Sequence, residues 1–193
     1  MSDATTKSLK VSREGMILIK SFEGFRPRAT PRDGGGWVIG YGHTLSAREG
    51  ASVSEAEAEL LLQYDLLPVV KRVGEISAGR LNQHQFDAIA SFVHSIGLDR
   101  FNDTDVARRL ASGAMDETAD ALVASREPVQ ADTALRRRAA ERALFVARPD
   151  HVVTLADLLS APLPLPLPAI APDASRRATS VSLNLSSPIE CTK

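Results

Sequence analysis

Apolar residues recur at helical spacing along most of this chain, with one early interruption of turn and strand character. Met16, Ile17, Leu18, Ile19 and Phe22 crowd one side of a segment from Ser12 to Glu23. Ser12 suits its N-cap and Gly24 its stop. Between Arg26 and Tyr41 come Pro27, Pro31 and the run Asp33-Gly34-Gly35-Gly36, and then the strand-forming Trp37-Val38-Ile39. That order predicts a small β-hairpin. Ser54 and Glu57 form a capping box ahead of Ala58, Leu60, Leu61, Leu62, Tyr64, Leu66 and Leu67, and Pro68 is expected to bend or break the helix they start. From Gln83 to Ile96, Phe86, Ile89, Ala90, Phe92 and Val93 fall at the spacing of a buried central helix that ends at Gly97. Shorter helices are predicted over Asp105–Ser112 and Met115–Ser125, with a last one over Ala134–Phe145. The predicted fold class is α+β, mostly α.

Composition sets the limits of this unit. All 12 glycines lie at or before Gly113 and all nine aromatics at or before Phe145, whereas seven of the 11 prolines lie at or beyond Pro149. We therefore read residues 1–10 as a flexible arm, 11–148 as the folded domain and 149–193 as a proline-rich linker and tail, with a short helix over Thr154–Ser160. The stretch Ala161–Ala171, APLPLPLPAIA, favours extended polyproline backbone, as a spacer or a docking segment. Twenty-three Lys and Arg against 24 Asp and Glu argue against nucleic-acid binding by bulk charge. No apolar run reaches the ~18–20 residues of a membrane span. The start lacks the apolar core of a secretory signal, so the expected location is cytoplasmic as synthesised. The single cysteine, Cys191, excludes a disulfide framework and a cysteine-rich zinc site. His84, His94 and His151 lack ligand spacing, and neither a metal nor a cofactor is expected.

Chemistry concentrates between Ser21 and Leu45. Glu23 ends an amphipathic segment between Phe22 and Phe25, and a carboxyl walled from water by such rings holds its proton to higher pH. A protonated carboxyl can act as general acid to a departing sugar oxygen. Glycoside cleavage also draws on a second carboxylate across the sugar, and Asp33 is the only one in the hairpin. By composition alone, a helix-terminal Glu near a turn Asp is usually a solvated surface pair. Trp37 and Tyr41 could stack on sugar or fill the hairpin core. His43 reads as a hydrogen-bonded structural histidine or a proton shuttle. The Arg136-Arg137-Arg138 cluster reads as a solvated helix face paired with Glu141, or as a contact to acidic cell-wall polymers.

The run Glu23-Gly24, Arg26 and Ile39-Gly40-Tyr41-Gly42-His43-Thr44 resembles the phage-type lysozymes, glycoside hydrolase family 24. Ser54–Leu61, Asp65, Gln83–Ala88, Ser91-Phe92, Ile96-Gly97 and Arg136–Glu141 continue the match in order over roughly residues 12–147. The resemblance implies a hairpin-bearing lobe and a helical lobe with a peptidoglycan cleft between them. It also implies muramidase activity on the β-1,4 bond between N-acetylmuramic acid and N-acetylglucosamine. Glu23 would then be the general acid, with Asp33 as the second catalytic carboxylate and Trp37, Tyr41, His43 and Ser95 as substrate contacts. Ser95 stands where the family often carries Asn. Such an enzyme without a signal peptide reaches the wall only if another protein releases it across the membrane, as with endolysins.

The family motif departs at two of three positions. Its second residue, an Asp or Cys nine places after the Glu, is here Arg32, with Asp33 one place late. Its Thr six places further is Val38, which lacks the hydroxyl. Impaired catalysis is therefore expected. The chain is also similar to the SpmX family of muramidase-like localisation proteins of stalked bacteria. In those a lysozyme-like domain precedes a proline-rich segment and membrane helices, and works with a polar organising protein to place a histidine kinase. That resemblance implies a catalytically degenerate interaction scaffold at a cell pole, with those two proteins as partners.

Overall fold

The computed structural model describes residues 9–124 and 132–163, the side chains of 132 and 133 excepted. Eight helices and one two-stranded antiparallel sheet make up the described chain, which is the mostly helical class predicted.

Helix α1, Arg13–Glu23, starts where Ser12 Oγ accepts from the Gly15 amide at 3.1 Å. The cap is tied to the core: Ser12 N and Oγ donate to Asp87 at 2.9 and 2.5 Å, and Gln83 Nε2 donates to Asp87 at 3.0 Å. A Cβ on Gly15 would stand 2.7 Å from Asp87 Cγ, so only glycine lets α1 lie this close to the central helix. Burial pushes the Asp87 pKa up despite those three donors.

Strands β1, Arg26–Pro31, and β2, Trp37–Gly40, form the hairpin, with Thr30 opposite Val38 and Pro31 opposite Trp37. The turn closes through Gly35 N to Arg32 O and Arg32 N to Gly36 O, both 3.1 Å. Gly34, Gly35 and Gly36 all take positive φ (90°, 97° and 82°), which is what the triple glycine supplies. The free edge of β1 is covered by the following loop, where Ala29 N donates to Ala51 O and Val53 N to Pro27 O at 2.9 Å each.

Helix α2, Glu55–Ser77, carries the predicted Ser54–Glu57 capping box. The expected break at Pro68 does not occur, and the helix runs through it. Pro68 lies on the exposed face, and the carbonyl its missing amide would have served belongs to Tyr64, itself 56% exposed. Water can satisfy that carbonyl, while Leu62, Leu66, Val69 and Val73 hold both halves to the core. The hairpin seats on the N-terminal half of α2 at Gly40, where an added Cβ would meet Ala58 Cβ at 3.0 Å.

Helix α3, Gln83–Ile96, is the buried centre, with Phe86, Ile89, Phe92 and Val93 at 2% exposure or less. Asn82 and Gln85 close a second capping box, and Gly97 ends the helix at φ 87°. A short α4, Leu98–Asn102, follows without a sequence signal strong enough to have predicted it. Then come α5, Asp105–Ser112, α6, Met115–Ala124, and α7, Asp132–Val146. Helix α8, Leu155–Leu159, is capped by Thr154 and buries Leu158 against the core beside α1 and α7. The proline-rich stretch beyond Leu163 lies outside the described residues, as does the N-terminal arm through residue 8. No described helix is long and apolar enough to cross a membrane.

Candidate active site

Glu23 ends α1 where α3, α7 and the return from the hairpin meet. Its Oε1 accepts from Arg137 Nη1 of α7 at 2.7 Å and faces His94 Nε2 of α3 at 3.7 Å. Its Oε2 lies against Gly42, where an added Cβ would come within 3.3 Å. Gly42 has φ 100°, so this backbone approach needs glycine for conformation as well as for room. The carboxyl is about one-fifth exposed, with side-chain accessibility of 19%. Arg26 Nη1 donates to the Glu23 backbone carbonyl at 2.8 Å and so ties the first hairpin residue to the helix end.

These surroundings correct the expected apolar box. Phe22 lies under the Arg137 guanidinium, 5.7 Å from ring centroid to Cζ, and Phe25 turns to Tyr41 and is 38% exposed. Ionic partners, not rings, hold the Glu23 carboxyl.

Behind Glu23 lies a buried ionic cluster. Arg137 Nε donates to Glu141 Oε1 at 3.1 Å and Nη2 to the Ser91 carbonyl at 3.0 Å. Ser91 Oγ donates to Glu141 Oε1 at 2.8 Å. Arg138 Nη1 donates to Glu141 Oε2 and Nη2 to Ser95 Oγ, and its guanidinium stacks on Phe92 at 4.5 Å. Arg137, Arg138 and Glu141 are 7%, 1% and 0% exposed. For Arg137 and Arg138 this overturns both the solvated-face reading and the wall-polymer reading. Only Arg136 of the trio is exposed. Two cations and two carboxylates balance here, which is what permits charge at such burial. His94 is held below the ordinary histidine value of 6.5, by burial first and by the Arg137 charge, against the pull of Glu23.

The other predicted site residues lie on the hairpin, on its return and near the end of α3. Asp33 sits exposed in the hairpin turn, with no hydrogen bond or ion pair among the described residues. Arg32 is exposed beside it, and Val38 is half-buried opposite Thr30. Trp37 is half-buried at the end of the strand pair. Tyr41 is 4% exposed, donates to Glu55 Oε1 at 2.8 Å and packs on Phe25, so its ring serves the hairpin core. Lys20 sits 4.9 Å over that ring, and its hydrogen bond to Glu59 holds its pKa above the ordinary 10.5. His43 is buried, with Nδ1 2.9 Å from Asp65 and Nε2 2.8 Å from Ser46 Oγ. Those bonds tie the hairpin return to α2. Ser95 Oγ donates to the Phe92 carbonyl at 3.0 Å and receives Arg138, so its hydroxyl is engaged inside the protein. No described group of His, Cys, Asp and Glu is arranged to hold a metal.

Arg137 and His94 were missed as neighbours of Glu23. They stand 114 and 71 residues away along the chain, and no local spacing connects them.

Comparison with known proteins agrees with this architecture. The family model for phage lysozyme matches residues 20–141. An endolysin of Acyrthosiphon pisum secondary endosymbiont phage 1 is 32% identical over 143 residues, covering 71% of this chain and 98% of that one. The solved muramidase domain of SpmX from Asticaccaulis excentricus is 44% identical with TM-score 0.67, covering 72% of this chain and 99% of that one. A P22 lysozyme crystal structure is 28% identical with TM-score 0.62, covering 72% and 99%. With the fold and these likenesses in agreement, the chain belongs to the phage lysozyme family.

Proposed function

We propose that this protein is a muramidase of peptidoglycan whose hydrolysis is much reduced, with Glu23 as general acid. The observation that carries this reading is the Glu23 carboxyl: partly exposed, anchored through Oε1 by Arg137, with Oε2 turned to the hairpin return. As general acid, Glu23 passes a proton through Oε2 to the bridging oxygen as the bond to the muramic acid anomeric carbon breaks, and the water that adds to that carbon returns a proton to the carboxylate. The missing help is on the far side of the sugar. By motif position, Arg32 puts a cation where a carboxylate would offset positive charge building at the anomeric carbon, and Val38 has no hydroxyl to orient a water. Asp33 is the available second carboxylate, one position late. General-acid assistance is worth ~10²–10⁴-fold, which sets the scale of what survives.

The test is release of soluble fragments from purified peptidoglycan by wild type and Glu23→Gln, both shown folded by circular dichroism. Release by wild type that disappears in Glu23→Gln is the expected result, and Arg32→Asp with Val38→Thr should increase it. Equal release from both proteins, or none from either, overturns the assignment.

A second reading rests on the same two departures and on the 44% identity to the SpmX muramidase domain. Here the fold is a scaffold that recruits a polar organising protein and a histidine kinase. It predicts partner binding that Glu23→Gln leaves unchanged, in a protein without hydrolysis.

A further inference from the structure

The outer face of α2 is apolar where a solvent-facing helix is ordinarily polar. Leu60, Tyr64 and Leu67 are 64%, 56% and 62% exposed. At 100° per residue they fall in one stripe, opposite the side that Leu62, Leu66, Val69 and Val73 turn to the core. Beside Leu67, an apolar groove of about 320 Å³ opens between α2 and α1, lined by Val11, Met16, Leu66 and Val70. The stripe is bounded by opposite charges on the same side of the helix, exposed Glu57 before it and exposed Lys71 after it. Lys71 has no ion-pair partner among the described residues.

We propose that a second copy of this chain docks on this face, the two α2 helices lying antiparallel about a two-fold axis at Tyr64. The charge order selects this occupant. Glu57 and Lys71 each stand seven residues from Tyr64. Antiparallel pairing therefore sets Glu57 of either copy against Lys71 of the other and makes two ion pairs from one sequence, as an isologous contact requires. A parallel pair would set like charges together. Leu60 and Leu67 of one copy meet Leu67 and Leu60 of the other, with the grooves at both ends free to receive them, and the opposed helix dipoles favour the same arrangement. The face from Glu57 to Lys71 is about 21 Å long. At a helix width of about 10 Å the face offers roughly 200 Å², well below the roughly 800 Å² per partner of a standard interface, so the dimer is weak, with a dissociation constant of about 10 μM or above.

Sedimentation equilibrium of the full chain from about 5 to about 500 μM tests this across the range set by that affinity. The weight-average mass should rise toward twice the monomer, and Leu67→Glu should keep it at the monomer value. Lys71→Glu and Glu57→Lys should each weaken association about tenfold, while an equimolar mixture of the two should recover it. Circular dichroism of each variant separates lost association from lost folding. Should Leu67→Glu not fold, Tyr64→Cys in a Cys191→Ser background gives the second reading, a disulfide-linked dimer formed under mild oxidation. Three results overturn the proposal: a wild-type monomer throughout, a dimer indifferent to Leu67→Glu, or a peptide of Ala161–Pro172 that occupies the groove instead.

Discussion

Removing the Glu141 carboxylate measures how far the buried ionic cluster supports this domain. Glu141 is 0% exposed and takes hydrogen bonds from Arg137, Arg138 and Ser91. With Glu23 it balances two guanidinium charges, so Glu141→Ala leaves one cation uncompensated with Arg138 only 1% exposed. Breaking a buried pair by deleting one partner costs about 3–5 kcal/mol. A domain of this size loses about 2–4 °C of Tm per kcal/mol, so the melting temperature should fall by roughly 6–20 °C. Urea denaturation of wild type, Glu141→Ala, Glu141→Gln and Arg136→Ala makes the comparison. Glu141→Gln keeps the shape and one acceptor oxygen and should fall between the extremes. Arg136→Ala, at the exposed neighbour, should stay within about 0.5 kcal/mol. A Glu141→Ala protein within about 1 kcal/mol of wild type would refute the reasoning, since an uncompensated buried cation cannot be that cheap.

Three further outcomes are expected. Because burial lowers the His94 pKa, the folded state binds fewer protons than the unfolded one below pH 6.5, so stability should fall as pH drops through that region. In His94→Gln this loss should shrink, and an unchanged stability profile from pH 7 to pH 5 would count against the assignment. Asp87 has the opposite sign: its pKa is raised by burial, so its contribution is present below the ordinary value of 3.8 and is lost as pH rises through its folded value. Carboxyl NMR should show Asp87 titrating above 3.8, and a lower value contradicts the burial argument. Gly42→Ala forces a side chain into φ 100° and within 3.3 Å of Glu23 Oε2, at a cost of about 1–2 kcal/mol or more. Loss of fragment release from peptidoglycan should accompany it, and a fully stable, fully active Gly42→Ala would show that this approach is not needed.

The local features of the fold were legible because local chemistry decides them. Ser12 and the Ser54–Glu57 box start helices through bonds that span three residues, and Gly24 and Gly97 stop them at positive φ. The hairpin followed from a glycine-rich turn ahead of Trp37-Val38-Ile39, and the central helix from the spacing of its apolar residues. The helix does not break at Pro68 because the cost of a proline depends on which face of α2 it occupies. That is settled by the core on the opposite side.

What the linear order could not decide is the electrostatics. Arg137 and Arg138 look like solvated residues by the i, i+3 and i, i+4 rules, and their pairing with Glu141 does obey that spacing. Their burial comes from α7 lying against α3, which brings Ser91, Ser95 and Phe92 to the guanidiniums. In the same way Glu23 stands out by its motif as the proposed acid, but its partners arrive from α3, α7 and Gly42. The sequence by itself therefore determined where helices begin and end, which family the chain resembles and which motif positions have changed. Only tertiary packing decided which charges are buried and what surrounds the Glu23 carboxyl. Desolvation and Coulomb energy depend on distances in space, and these are set by contacts between residues far apart along the chain.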